Sequence, residues 1–307
     1  MSGHESWQEG FRKRLSGTIL FDERADRHTS LGVGGMIDAL AFPENAADLA
    51  QGVAFLRQRR IPFLPVGNWT NLIVGDGGYR GALLSLAELR GLNQSDGGGG
   101  SVRLEAEAGV PLAELVAASV RDSLAGAEFC AGIPGSVGGA VRMNAGAYGA
   151  EIKDICTAVT LLHPEGGIQT VARDALSFSY RNLDLPAETI IICAAFHLRR
   201  GDGETIAGRV REIVAMRREK HPLEFRNAGS VFKNPPAVPA GRLIEEAGLK
   251  GMRIGDAQVS EKHGNFIVNR GAATAGEIIS LIGKIQERVF EMTGYALVTE
   301  VRIIGEQ

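Results

Sequence analysis

The stretch 131–151 reads A-G-I-P-G-S-V-G-G-A-V-R-M-N-A-G-A-Y-G-A-E and holds six Gly and five Ala. A glycine puts no Cβ in the way and tolerates φ > 0. Turns built from such residues present consecutive N–H groups that hold anions. Pro134 fixes one φ and stiffens the run. The chemistry this suits is a loop wrapped round the diphosphate of a dinucleotide. The plain alternative is a long surface loop, but the run lacks the Ser-, Asp- or Lys-rich content of one. Three further side chains are of types that do chemistry. Arg181 has the planar fork that suits a carboxylate, or an ion pair with Asp184. Ser230 follows Gly229 and by itself reads as a hydroxyl satisfying a turn. Glu300 stands between apolar Val298 and Val301, an unusual setting for an acid.

Composition bounds what surrounds these residues. A chain of 307 residues is long enough for two or three domains. Its 44% hydrophobic and 22% charged content is that of an ordinary soluble globular protein. A net charge of −3 gives no electrostatic footprint for nucleic acid. No apolar run reaches membrane-spanning length, so no membrane partner is expected. The first residues, M-S-G-H-E-S-W-Q-E-G, lack the basic-then-apolar layout of a signal peptide. Cys130, Cys156 and Cys193 are odd in number and show no metal-ligand spacing, so no metal is expected. Small and apolar neighbours make them read as buried free thiols. All of this fits the cytoplasm.

Periodicity and punctuation then assign the elements that must hold these residues. A helix is expected over 5–20, with Trp7, Phe11 and Leu15 near one face. A strand over 37–41 precedes an amphipathic helix over 46–60. The strand 63–66 leads into the turn Gly67-Asn68-Trp69-Thr70-Asn71-Leu72, and 81–86 is a further strand. The four glycines 97–100 read as a hairpin tip before a strand over 102–108. Pro111 opens a helix over 112–123. Strands over 152–162 and 167–171 flank an H-P-E-G-G turn, and 190–198 is an apolar strand. A helix over 204–220 carries Arg209, Arg211, Arg217 and Arg218, by default on a solvated face. Helices over 242–248 and 274–293 follow, the second N-capped by Thr274, and 297–304 is a last strand. Strands and helices do not alternate as in a nicotinamide-binding Rossmann domain, so the class is α+β.

The block G-I-P-G-S-V-G-G-A-V-x-M-N-A-G-A-Y-G-x-E resembles the signature of the UDP-N-acetylenolpyruvoylglucosamine reductase family, flavoenzymes of bacterial peptidoglycan precursor synthesis. Other segments match it in order from about Asp26. They are D-R-H-T-S-L-G-V-G-G, then F-x-Y-R at 178–181, A-G-S-x-F-K-N-P at 228–235, and D-A-Q-V-S-E-K-H-G-N-F-I-V-N at 256–269. The resemblance implies an FAD-binding fold of the vanillyl-alcohol-oxidase type in two sub-domains, 1–88 and 89–219, the second joined by the C-terminal strand 297–307. A small α+β substrate-binding domain, 220–296, completes it. Non-covalent FAD, NADPH as co-substrate and a nucleotide-sugar substrate are implied with it. The cofactor contacts carried over are Gly132, Ile133, Pro134, Gly135, Ser136, Gly138 and Gly139, then Asn144, Ala145, Gly146, Tyr148 and Gly149. A second flavin-phosphate turn falls on Gly67, Asn68, Trp69, Thr70 and Asn71. It departs from the family's G-x-G-S-N-L: Trp69 stands where Gly is usual, and Thr70 replaces Ser. Either the turn is rebuilt, or the indole packs on the cofactor. Thr70 and Asn71 keep usable hydrogen-bond donors.

In that family NADPH reduces FAD, and hydride then passes to the β-carbon of an enolpyruvyl ether, giving a lactyl ether. Charge develops at the α-carbon and spreads into its carboxylate. The protein must place a hydride donor, stabilise that carboxylate and protonate the α-carbon. The resemblance gives Ser230 the proton-donor role and makes Arg181 and Glu300 active-site residues. Tyr180, Arg217, Lys233, Asn234 and His263 are its candidates for the substrate's diphosphate. The spacing from Arg181 to Ser230 is too short for the inserted substrate-closing segment of one family type, so the shorter type is expected. Two rival readings remain open on the sequence: an FAD-dependent alcohol oxidase of the same wider fold, and an inactive nucleotide-sugar-binding protein. The first has no need of A-G-S-x-F-K-N-P, and the second no need of Arg181, Ser230 and Glu300 together.

Overall fold

A computed structural model gives the structure of residues 6–307. By its contacts the chain forms two units. One takes the residues up to Phe21, Ala39–Asn68 and Gly81–Ala215; the other takes Asp22–Asp38, Trp69–Arg80 and Met216–Gln307.

The first unit is built round an antiparallel sheet of six strands. Ile168–Ala172, Cys156–Leu162, Ile190–Arg200, Ser101–Glu107 and Leu92–Gly98 follow one another across it. Leu124–Ala125 pairs with the far end of Ile190–Arg200. Ile190–Arg200 is central, and its run I-I-I-C-A-A-F is buried almost throughout, as a strand covered on both faces must be. The Gly tip is a two-residue turn: Gly98 pairs with Ser101, and Gly99 and Gly100 have φ of 60° and 81°. Phe63–Val66 runs parallel to 82–85. The helix Ala46–Gln58 lays Leu49, Val53 and Leu56 into a core shared with Phe11, Leu84, Ile190 and Ile192.

Two expectations change here. The helix expected over 5–20 is only Trp7–Arg12, with Glu5 outside the described residues, and a strand begins at Thr18. Buried Asp48 is the reason. Its carboxylate accepts from the N–H groups of Ser16 (2.7 Å), Gly17 (3.1 Å) and Glu44 (3.0 Å), diverting donors a helix would need. A Cβ on Gly17 would also lie 1.9 Å from the Phe42 carbonyl oxygen, so the chain must turn there. The strand expected over 152–162 begins only at Cys156. Ile152–Ile155 is a helical turn, stabilised where the Asp154 carboxylate accepts from the Glu151 N–H at 2.8 Å.

The second unit has a four-stranded antiparallel sheet in the order Arg226–Ser230, Phe266–Asn269, Ala257–Val259, Arg253–Ile254. The helices Ala240–Glu246 and Ala275–Thr293 pack with it through Leu243, Ile244, Val259, Ile267, Ile278 and Ile282. Ala275–Thr293 buries Ile278, Leu281, Ile282, Ile285 and Val289 at helical spacing. Thr274 and Glu277 form its capping box, the Asp76 carboxylate accepts from the Ala275 and Gly276 N–H groups, and Gly294 ends it at φ 74°. The last strand is regular only at Arg302–Ile304, parallel to Leu72–Val74. Upstream, the N–H groups of Glu300 (2.7 Å) and Val301 (3.4 Å) converge on the Val231 carbonyl, which breaks the register. Among the described residues no helix is long and apolar enough to cross a membrane.

Candidate functional site

The Gly-rich run starts as a loop and enters the helix Val137–Arg142. Val137 and Gly138 donate to the carbonyls of Val110 and Ala108, both at 2.9 Å, so the run lies against a strand end. A Cβ on Gly138 would stand 2.7 Å from that of Ala108, and only Gly fits. Ser136 occupies the N-cap, yet its hydroxyl makes no capping bond. Ser136 is 4% exposed, and its Oγ has no hydrogen-bond partner among the described residues. A buried, unsatisfied hydroxyl costs about 1–3 kcal/mol, which a ligand's polar atom recovers. The same Oγ lies 2.4 Å from where a Gly67 Cβ would be, so Gly67 leaves room beside it. An orphaned hydroxyl in a cradle that side chains would fill suits a diphosphate.

The rest of the run is a small hairpin. Gly146–Ala147 pairs with Ala150–Glu151, and Tyr148 and Gly149 form its turn with φ of 54° and 85°. The Tyr148 ring is 44% exposed and lies 5.9 Å from the Arg209 guanidinium. Asn144 is fully buried, and its side chain is turned to the protein. Its Nδ2 donates to Glu151 Oε2 and to the Ser179 carbonyl, and its Oδ1 accepts from the Lys153 N–H, each at 3.0 Å. Tyr180 and Arg181 are the two turn residues of the next hairpin, Phe178–Ser179 with Asn182–Leu183. Arg181 has φ 56°, and its guanidinium lies 5.2 Å from the Tyr180 ring centre.

In the second unit, Ser230 ends the strand Arg226–Ser230 opposite Phe266, after a register shift at Gly229, where φ is 73°. Asn265, which the sequence reading did not single out, clamps the turn that follows. Its Oδ1 accepts from the Phe232 N–H at 2.9 Å, its Nδ2 donates to the Phe232 carbonyl at 2.8 Å, and its own carbonyl accepts from Val231. The signal was an amide inside the apolar segment G-N-F-I-V. The Glu300 N–H donates to the Val231 carbonyl, so Glu300 sits one residue across from Ser230. Asn71 Nδ2 donates to the Glu300 carbonyl at 3.1 Å. Trp69 keeps a left-handed φ of 55°, is 9% exposed and packs its indole against His28 at 5.5 Å.

Lys233 donates its N–H to the Val298 carbonyl, and Asn234 Oδ1 accepts from Ala240 N–H at the start of a helix. His263 Nδ1 accepts from the Asn265 N–H, and its ring meets Phe266 at 4.8 Å and His221 at 5.5 Å. Burial, then the Arg217 charge, lowers the His221 pKa from 6.5 to about 4. Burial and then Lys250 lower that of His263. Arg217, Lys220 and Lys262 thus set positive charge beside the His221 ring, and both rings are held toward their neutral form. Away from it, burial pushes the Cys156 and Cys193 thiols up to about 11, where they are poor nucleophiles. The structure therefore brings the backbone at Glu300 beside Val231, the residue after Ser230, with the Asn71 amide on the Glu300 carbonyl, and in the other unit Ser136 beside Gly67 and Asn144 on the hairpin of Arg181.

A family model described as an FAD binding domain matches residues 37–172. One described as the C-terminal domain of UDP-N-acetylenolpyruvoylglucosamine reductase matches 221–304. The chain is 54% identical to the UDP-N-acetylenolpyruvoylglucosamine reductase of Syntrophus aciditrophicus over 97% of this chain and 96% of the relative. It is 43% identical to that of Pelobacter propionicus over 95% and 98%. Among solved structures, the reductase of Thermus caldophilus aligns with a TM-score of 0.79 and 34% identity, covering 94% of this chain and 99% of that one. The fold is the FAD-binding fold of the vanillyl-alcohol-oxidase type with a small α+β region after it. Identity of this extent, over nearly the whole length of both chains, means that the protein belongs to the UDP-N-acetylenolpyruvoylglucosamine reductase family.

Proposed function

We infer that this chain reduces the enolpyruvyl group of UDP-N-acetylglucosamine enolpyruvate to the lactyl group of UDP-N-acetylmuramate, with FAD as cofactor and NADPH as reductant. Within the structure, the observation that supports it most is Ser230 one residue across from Glu300, joined by the Glu300 N–H on the Val231 carbonyl. An alcohol oxidase of the same wider fold has no use for that pair. When bound, FAD supplies the hydride exchange between NADPH and the β-carbon. Ser136 and the glycines around it, with Gly67, would hold its diphosphate. Ser230 donates the proton to the α-carbon. A serine is a weak acid, so a neighbour must stabilise its developing alkoxide by donating to Oγ, a task Glu300 fills in its protonated form. Arg181 holds the substrate carboxylate with two parallel N–H bonds as that group gains charge. Arg217 and Lys233 supply positive charge for the nucleotide-sugar diphosphate, and Asn234, a neutral His263 and Tyr180 from the Arg181 turn supply donors.

The functional division that fits this is 1–88 and 89–219 for the cofactor, joined by 297–307, and 220–296 for the substrate. The family matches at 37–172 and 221–304 support only the split between a cofactor part and a substrate part. Nucleotide sugar and NADPH are cytoplasmic metabolites, so the reaction belongs in the cytoplasm.

Ser230→Ala tests the reading by stopped-flow absorbance of the flavin, which follows the two halves separately. Bleaching by NADPH should stay near the wild-type rate. Reoxidation by the enolpyruvyl nucleotide should fall ~10²–10⁴-fold, the usual worth of general acid catalysis. Equal slowing of both halves would make Ser230 a part of the flavin site, and slowing of neither would remove it from the chemistry.

A further inference from the structure

Asn144 belongs to the Gly-rich run, and a diphosphate cradle suggests a ligand role for its amide. Its surroundings point elsewhere. Both its N–H donors and its oxygen are engaged by the protein, with Glu151, Ser179 and Lys153 each at 3.0 Å. The Glu151 carboxylate is itself held by Lys153 Nζ at 2.6 Å. Ser179 immediately precedes the turn Tyr180–Arg181. The other strand of that hairpin is held from the same helix end, where the Arg142 guanidinium donates to the Leu183 carbonyl.

A hairpin of two residues per strand is marginal by itself. This one closes with the Asp184 N–H on the Ser177 carbonyl and carries Arg181 at φ 56°, where a non-glycine residue is strained. Such a conformation persists only where the surroundings over-determine it. Asn suits the task because it donates twice and accepts at once, and it tolerates its own φ of 41°. Asp keeps the acceptor for Lys153 but sets a negative charge against the Ser179 carbonyl and the Glu151 carboxylate.

We propose that Asn144 and Arg142 are positioning residues, which grip the two strands of one hairpin so that Arg181 meets the substrate carboxylate in a fixed geometry. This rests on the activity inferred above. It joins the cofactor run and the substrate-binding turn into one rigid piece, with the amide of Asn144 as the joint rather than a flavin ligand.

The test uses the holoenzyme and its Asn144→Asp variant. FAD content should be kept, and bleaching by NADPH should change little. Amide hydrogen exchange over 177–184 should speed up at least about tenfold as the hairpin opens locally. Reoxidation by the enolpyruvyl nucleotide should fall up to about 10²-fold, the cost of a displacement near 1 Å. On an Arg181→Lys background, Asn144→Asp should add little more, because the effect passes through Arg181. Unchanged exchange over 177–184, loss of FAD, equal slowing of both halves, or full additivity with Arg181→Lys would each overturn the proposal. If Asn144→Asp does not fold, Arg142→Met carries the same measurements, since it releases the other strand and keeps an apolar stem. A wild-type flavin that the enolpyruvyl nucleotide fails to reoxidise would sink the inferred activity, while the exchange measurement would still decide the positioning.

Discussion

Trp69 sets two residue-scale effects against each other. Its φ of 55° costs a non-glycine side chain about 1–2 kcal/mol, which Trp69→Gly would relieve. The same change removes an indole that is 9% exposed and packed on His28, and truncating a buried Trp costs about 3–5 kcal/mol. Packing wins, so Trp69→Gly should lower the urea midpoint by the equivalent of roughly 2 kcal/mol. A raised midpoint would mean that strain dominates. FAD titration of the same variant tells whether the indole also touches the cofactor, because an affinity equal to wild type would confine its role to packing. At this scale the motif asparagines were legible as special but not as to role. Asn71 and Asn144 each direct an amide to a carbonyl distant in sequence, Glu300 and Ser179, and no local pattern encodes such a partner.

Elements were legible where the signals that make them are local. Ala46–Gln58 starts where the amphipathic pattern placed it, and the Asn45 side chain caps it by accepting from Ala47 and Asp48. Thr274 and Glu277 do the same for Ala275–Thr293. The ends at 17 and 297–301 were not legible, because Asp48 and the Val231 carbonyl act there from other parts of the chain. The segment after the helix Gly203–Lys220 shows another effect that only packing creates. His221 lies against Phe266 at 4.9 Å and faces His263, Arg217, Lys220 and Lys262. Its pKa is about 4 here against an ordinary 6.5, so between those values the unfolded chain binds more protons than the folded one. Stability then rises with pH across that window and gains nothing from this group above it. His221→Phe keeps a ring on Phe266 and removes the titration. The variant's thermal midpoint should fall less than the wild type's between pH 7 and pH 5, and parallel profiles would contradict the assignment.

At the scale of the whole molecule, the reaction takes two reactants, and the sheets show no Rossmann fold for the one that carries nicotinamide among the described pairings. A nicotinamide-binding Rossmann fold is a parallel sheet with crossover helices. Every described pairing of the six-stranded sheet is antiparallel, and so is every pairing in the sheet that ends in Ser230. Parallel pairing is seen in two short segments, Phe63–Val66 with 82–85 and Leu72–Val74 with Arg302–Ile304. The family matches account for 37–172 as cofactor fold and 221–304 as reductase C-terminal domain. NADPH and the enolpyruvyl nucleotide both carry a diphosphate, so we predict that one site serves either in turn. The first must then leave before the second binds. Initial rates measured against NADPH at several fixed concentrations of the enolpyruvyl nucleotide should give parallel double-reciprocal lines, the pattern of a ping-pong reaction. High concentrations of either reactant should inhibit competitively with the other, because each blocks the other's turn. Intersecting lines would require both to be bound at once, and a separate NADPH site would then have to be found on this chain.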